Sequence, residues 1–149
     1  MVGACVAVVA LLPGVAQAAS GSSLGVGFTG RGVRGISVLP RTFTAGDCRQ
    51  IGQNQHEFFA AEINLEPPQS GQSRAFWQGN LYTVSTVFTD TWHGKWLYRN
   101  ASGGTVATVT MDGPEMLEGI ILFIRQETHV ALTQEQWDSI AFVDWYGDC

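Results

Sequence analysis

The turn signals in this chain stand too close together for helical crossovers. Pro40, Ala45-Gly46-Asp47, Pro67-Pro68, Gly79-Asn80, Thr89-Asp90, Asn100–Gly104 and Asp112-Gly113-Pro114 punctuate it at short intervals. Connecting parallel strands takes about a dozen residues or more, usually a helix. What fits between these turns is a short strand that doubles back on its neighbour, so the expectation is antiparallel sheet.

The residues between the turns support this. Phe59, Ala61, Ile63 and Leu65 alternate with Ala60, Glu62 and Asn64, the period-2 signature of a half-buried strand. Further strands are predicted over Ile36–Leu39, Thr42–Thr44, Ala75–Trp77, Leu81–Phe88, Trp92–Arg99, Thr105–Met111 and Phe142–Tyr146. Gly79-Asn80 reads as a turn or bulge, and Asp112-Gly113-Pro114 as a strand break. Leu117–Gln126 is the most apolar segment. Its apolar residues fall on both parities, which predicts a central strand buried on both faces. One helix is signalled, by the capping box Thr133-Gln134-Glu135-Gln136, with Leu132 and Trp137 placed as a hydrophobic staple. The fold class predicted is mainly β, an antiparallel β-sandwich or barrel with one short C-terminal helix.

Residues 1–18 read as a removable export signal. Val6–Leu12 is uncharged and apolar, Pro13-Gly14 breaks it, and Ala16-Gln17-Ala18 is a small-x-small cleavage site. No Lys or Arg precedes the apolar run, which departs from the usual signal pattern. The run is shorter than the roughly 20 residues of a membrane span, so no span is expected in the mature chain. Residues 19–35 form a Gly/Ser-rich arm or first strand, and 36–149 a single β-rich domain. The expected location is outside the cell, or the periplasm of a bacterium.

Loss of the leader removes Cys5 and leaves Cys48 and Cys149. Two thiols in an oxidising compartment have one pairing, so a Cys48–Cys149 disulfide is predicted. It closes a loop of about 100 residues and pins the C-terminus.

The charge balance narrows the function. The formal net charge is −5, only 14% of residues are charged, and Lys95 is the only lysine. So little basic surface suits phosphate-backbone contacts poorly, and no nucleic-acid partner is expected. The histidines, His56, His93 and His129, stand at no metal-ligand spacing, and the two remaining cysteines lack the paired spacing of zinc ligands. No metal and no cofactor are expected, and no nucleophile motif is present.

The aromatic residues are more suggestive. Trp92, Trp96 and Tyr98 share one face of a strand, with His93 and Asp90 close by. Such a face either fills a core or stacks on a sugar ring or protein surface. These five residues are the predicted binding set, and the target is a protein or a carbohydrate. Asn100-Ala101-Ser102 is an N-glycosylation sequon in a hairpin loop. Leader, small size and disulfide-closed β-domain together make the profile of secreted effectors and toxins, a likeness of class and not of motif. The expected function is a small secreted binding protein. The competing reading is a small secreted hydrolase of glycan or RNA, with His56, Glu57, Arg74 and His93 as the available acid, base and guanidinium groups.

Overall fold

The computed structural model describes residues 35–39, 41–53 and 59–149. The leader, nearly all of the arm, and His56 with Glu57 lie outside the described residues. Nine strands and one helix follow in order: β1 (Ser37–Val38), β2 (Phe43–Ala45), β3 (Cys48–Gln50), β4 (Glu62–Leu65), β5 (Gln72–Thr83), β6 (Asp90–Asn100), β7 (Thr105–Met116), β8 (Leu122–Ala131), α1 (Gln134–Ser139) and β9 (Ile140–Asp148). All strand pairings between these elements are antiparallel, as the close-set turns require.

The strands form two sheets. In the first, β5 is the spine: β4 and β3 pair with the two halves of one edge, β8 runs along the other, and β1 and β2 extend from β4 and β3. The second is β7-β6-β9. Their inner faces share one core containing Ile63, Leu65, Trp77 and Leu81 from the first sheet and Trp92, Trp96, Val109, Val143 and Trp145 from the second. The architecture is the predicted β-sandwich, half-closed like a barrel.

Indole rings dominate that core. Trp77 and Trp96 meet edge-on with centroids 5.1 Å apart, and Trp96 meets Trp145 at 6.0 Å. Fitting four tryptophans between the sheets requires small residues opposite them. Gly94 and Gly147 are cross-strand partners. A Cβ on Gly147 would lie 2.2 Å from Trp92 Cζ2, and one on Gly94 2.7 Å from Trp96 Cη2. The glycines here serve close approach rather than a turn.

The helix forms as its sequence signals. Thr133 Oγ1 accepts from the Gln136 N–H at 3.1 Å, and the Thr133 N–H donates to Gln136 Oε1 at 2.9 Å. Leu132 and Trp137, the staple pair, are both buried.

Four expectations need correction. β5 runs unbroken through Gly79-Asn80, because the Gly79 backbone packs against Ala61 rather than turning. It ends at Thr83, so Val84–Phe88 is a loop and not strand. β7 continues through Asp112-Gly113-Pro114, with a register shift opposite Thr91–His93. Proline is tolerated there because, among the described residues, β7 pairs only with β6, leaving an edge that needs no donor. Finally, Leu117–Gln126 is not a central strand. Strand structure starts only at Leu122, β8 pairs only with β5 among the described residues, and Ile120, Ile121 and Phe123 are exposed.

Candidate functional site

Strand β6 carries all five predicted binding residues and separates four of them by parity. Trp92, Trp96 and Tyr98 point inward, each about 1% exposed. They are core, and a ligand on the outer surface cannot stack on them. Burial pushes the Tyr98 phenol well above its usual range, so it stays protonated. The alternate residues His93, Lys95, Leu97 and Arg99 face outward.

On that outer face β6 lies between β7 and β9, and the register sets its side chains in rows. His93 stands opposite Asp112 on one side and Asp148 on the other; Lys95 stands between Thr110 and Tyr146. Asp112 Oδ1 accepts a hydrogen bond from His93 Nδ1 at 2.7 Å. These six residues border a shallow groove of about 360 Å³. It offers one phenol face, an imidazole, an ammonium and two carboxylates. Four residues beyond Lys95 on β6, Arg99 donates to Asp144 at 3.0 Å and to Thr105 Oγ1 at 2.6 Å. The bond to Asp144 raises the Arg99 pKa, so this cation is committed within the sheet.

Asp90, the fifth predicted residue, belongs to the disulfide end. Cys48 and Cys149 are joined as predicted, with Cα atoms 6.0 Å apart. Cys48 pairs with Thr83 across β3 and β5. Thr83 Oγ1 donates to Asp90 Oδ2 and accepts from the Ser85 N–H at 3.0 Å. Among the described residues, Cys48, Asp90 and Cys149 form a group whose ligand-type atoms lie within 4.8 Å of one another. The two sulfurs are bonded to each other and present no thiolate to a metal.

The same end carries a surface the aromatic pattern did not reveal. Nine large hydrophobic residues are exposed among the described residues. All but Ile36 fall on the loop 84–89, the loop 117–121, and the adjoining pair Phe59 and Phe123. Phe59 and Phe88 are each 75% exposed and Val87 71%. Thr83 and Glu118 form a bridge that ties the two loops together. Phe59 and Phe123 meet edge-on at 5.9 Å, and Asn80 Nδ2 donates to the Phe59 carbonyl at 2.9 Å. Asp47, Glu115 and Glu118, all exposed, rim this end with negative charge. The signal was present in the sequence, since apolar residues on both parities of 117–124 fit an exposed patch as well as a doubly buried strand.

Of the residues cast for hydrolysis, the two that are described, Arg74 and His93, lie apart. Arg74 lies on the outer face of the first sheet and His93 on the outer face of the second. Arg74 is held by both Glu66 oxygens, at 3.0 and 2.5 Å, and by Glu127 at 3.3 Å. The Arg74 hydrogen bond holds Glu66 below the usual carboxylate range, and Glu66 in turn raises the Arg74 pKa. His129, opposite Arg74 across β5 and β8, borders the same shallow depression. A guanidinium already shared by two carboxylates is poorly placed to take a phosphate.

Asn100 opens the β6–β7 hairpin loop. Its Oδ1 accepts from Ser102 Oγ–H and from the Gly104 N–H, both at 2.8 Å. The sequon is thus built into the turn. No helix among the described residues is long and apolar enough to cross a membrane. No family model, curated protein or solved structure matches the chain.

Proposed function

We propose that the chain is a small exported binding protein that grips a protein target through the apolar loops at its disulfide end. The observation that carries this reading is the gathering of eight exposed large hydrophobics on one end of the sandwich. Contiguous apolar surface on a soluble domain is costly to leave in water and usually marks an interface. The disulfide fits the role. It anchors β3 and the C-terminus beside Thr83, so loop 84–89 starts from a braced position rather than a fraying one. The acidic rim of Asp47, Glu115 and Glu118 suits a target with an apolar pocket bordered by basic residues.

The outer-face groove favours a second reading, binding of a carbohydrate. Tyr146 offers a ring face, and His93, Asp112 and Asp148 offer hydrogen-bonding groups at the spacing of adjacent strands. One experiment separates the two. Purified chain, Val87→Ser/Phe88→Ser and Tyr146→Ala are each titrated against a glycan array and against proteins displayed on intact cells. Val87 and Phe88 are exposed and Tyr146 is half-buried, so near-UV circular dichroism first verifies that each variant is folded. Protein binding lost only in the loop variant supports the first reading. Glycan binding lost only in Tyr146→Ala replaces it with the second. Wild-type protein binding that survives the loop substitutions sinks the first.

A further inference from the structure

A sheet edge left open along its whole length is a hazard that soluble proteins usually blunt with proline, lysine, a bulge or a covering loop. Strand β8 carries none of the first three. It pairs with β5 over ten consecutive positions, Gln72↔Ala131 to Leu81↔Leu122, without a register shift. Among the described residues its other edge pairs with no strand. It contains neither proline nor lysine.

We propose that this edge is the contact between two copies of the chain, paired antiparallel about a two-fold axis through Gln126. The axis position follows from charge. Phe123, Arg125, Glu127 and His129 face outward on β8 and are exposed, while Leu122, Ile124, Gln126, Thr128 and Val130 face the interior. An axis perpendicular to the sheet keeps each face continuous, so it must pass through a residue and not between two. Placed at Arg125 it sets guanidinium against guanidinium; placed at Glu127 it sets carboxylate against carboxylate. Gln126, at the middle of the strand, avoids both.

That register is complementary at every position. Arg125 faces Glu127 of the second copy, and the symmetry repeats the pair. Phe123 faces His129 of the second copy, and Ile121 faces Ala131. On the inner side Leu122 meets Val130, and Ile124 meets Thr128. Cross-strand pairs of these types are the units of sheet stability.

The result is one sheet running β4-β5-β8 into β8-β5-β4 of the second copy. Loop 84–89 stays free, while Ile121 and Phe123 at the edge of the apolar patch join the contact. The apolar loops sit near the start of β8, so antiparallel pairing carries them to opposite ends, separated by about 30 Å of strand. Two such ends on one rigid sheet would bind a target bivalently.

The test is the mass of the purified chain in solution by sedimentation, across concentrations up to about 100 μM. A dimer is expected. Arg125→Glu sets carboxylates against Glu127 of the second copy at two places and should weaken association by about tenfold or more. The double variant Arg125→Glu/Glu127→Arg exchanges the charges and should restore it. Near-UV circular dichroism verifies that each variant is folded. Should Arg125→Glu misfold, Glu127→Arg sets like charges together through the other residue, though it also breaks the Glu127 bond to Arg74. A wild-type monomer overturns the proposal. So does a dimer indifferent to both single substitutions, or a folded double variant that stays monomeric.

Discussion

Replacing both cysteines by serine tests how the closure works. Cys48 and Cys149 are 101 residues apart in sequence, so the bridge constrains most of the chain before folding begins. The loop-entropy relation gives about 4.7 kcal/mol at 25 °C for a loop of about 100 residues. Native-state contributions pull in opposite directions. Cys48 is fully buried, so a hydroxyl there adds a desolvation cost; Cys149 is exposed and its replacement adds almost nothing. For a folded unit of roughly 115 residues, a loss of that size lowers Tm by roughly 15–20 °C. The assay is urea unfolding of wild type and of Cys48→Ser/Cys149→Ser by tryptophan fluorescence, which the buried indoles make sensitive. If the bridge acts on the unfolded chain, the m-value rises as well, because the unbridged chain exposes more surface. A loss below about 1 kcal/mol, with m unchanged, would refute the entropic reasoning.

Three further outcomes follow from the packing and the charges. Trp96→Ala should cost about 3–5 kcal/mol in chemical denaturation, as for a buried aromatic, whereas an exposed stacking ring would cost far less. Gly147→Ala places a methyl group where Trp92 Cζ2 already lies 2.2 Å away, and should destabilise by about 2 kcal/mol or more; wild-type stability in that variant would show that the indole yields easily. The Arg74 bond depresses the Glu66 pKa, so its stabilisation is present above the ordinary carboxylate value and is lost as pH falls through the lowered one. Solvent screening keeps that contribution small. Acid titration of stability in Arg74→Ala should therefore show a slightly shallower decline on the acid side than wild type, and an identical slope would remove the pair from the account.

Dimer pairing and target binding use neighbouring parts of the chain. Ile121 and Phe123 sit where the two meet, while Val87 and Phe88 lie outside the β8 register. Val87→Ser/Phe88→Ser should therefore abolish target capture and leave the sedimentation behaviour unchanged, which keeps the two ideas independently testable.

Local chemistry settled a good deal of this protein in advance. Close-set turn residues forced antiparallel sheet, the Thr133–Gln136 box started the helix, and the two cysteines left by the expected leader cleavage had a single pairing. Each of these depends on residues near one another in sequence, or on a count with one solution. Alternation along β6 likewise separated Trp92, Trp96 and Tyr98 from His93, Lys95 and Arg99. It could not say which set met solvent, because period 2 defines two faces and labels neither. Only packing against the second sheet assigned the indoles to the interior, with Gly94 and Gly147 giving them room. Segment 117–124 misled for the same reason: apolar residues on both parities describe a strand covered twice or a surface covered by nothing in the chain. The neighbours that distinguish those cases, β5 on one side of β8 and, among the described residues, an unpaired edge on the other, are set by distant parts of the sequence, and no local pattern encodes them.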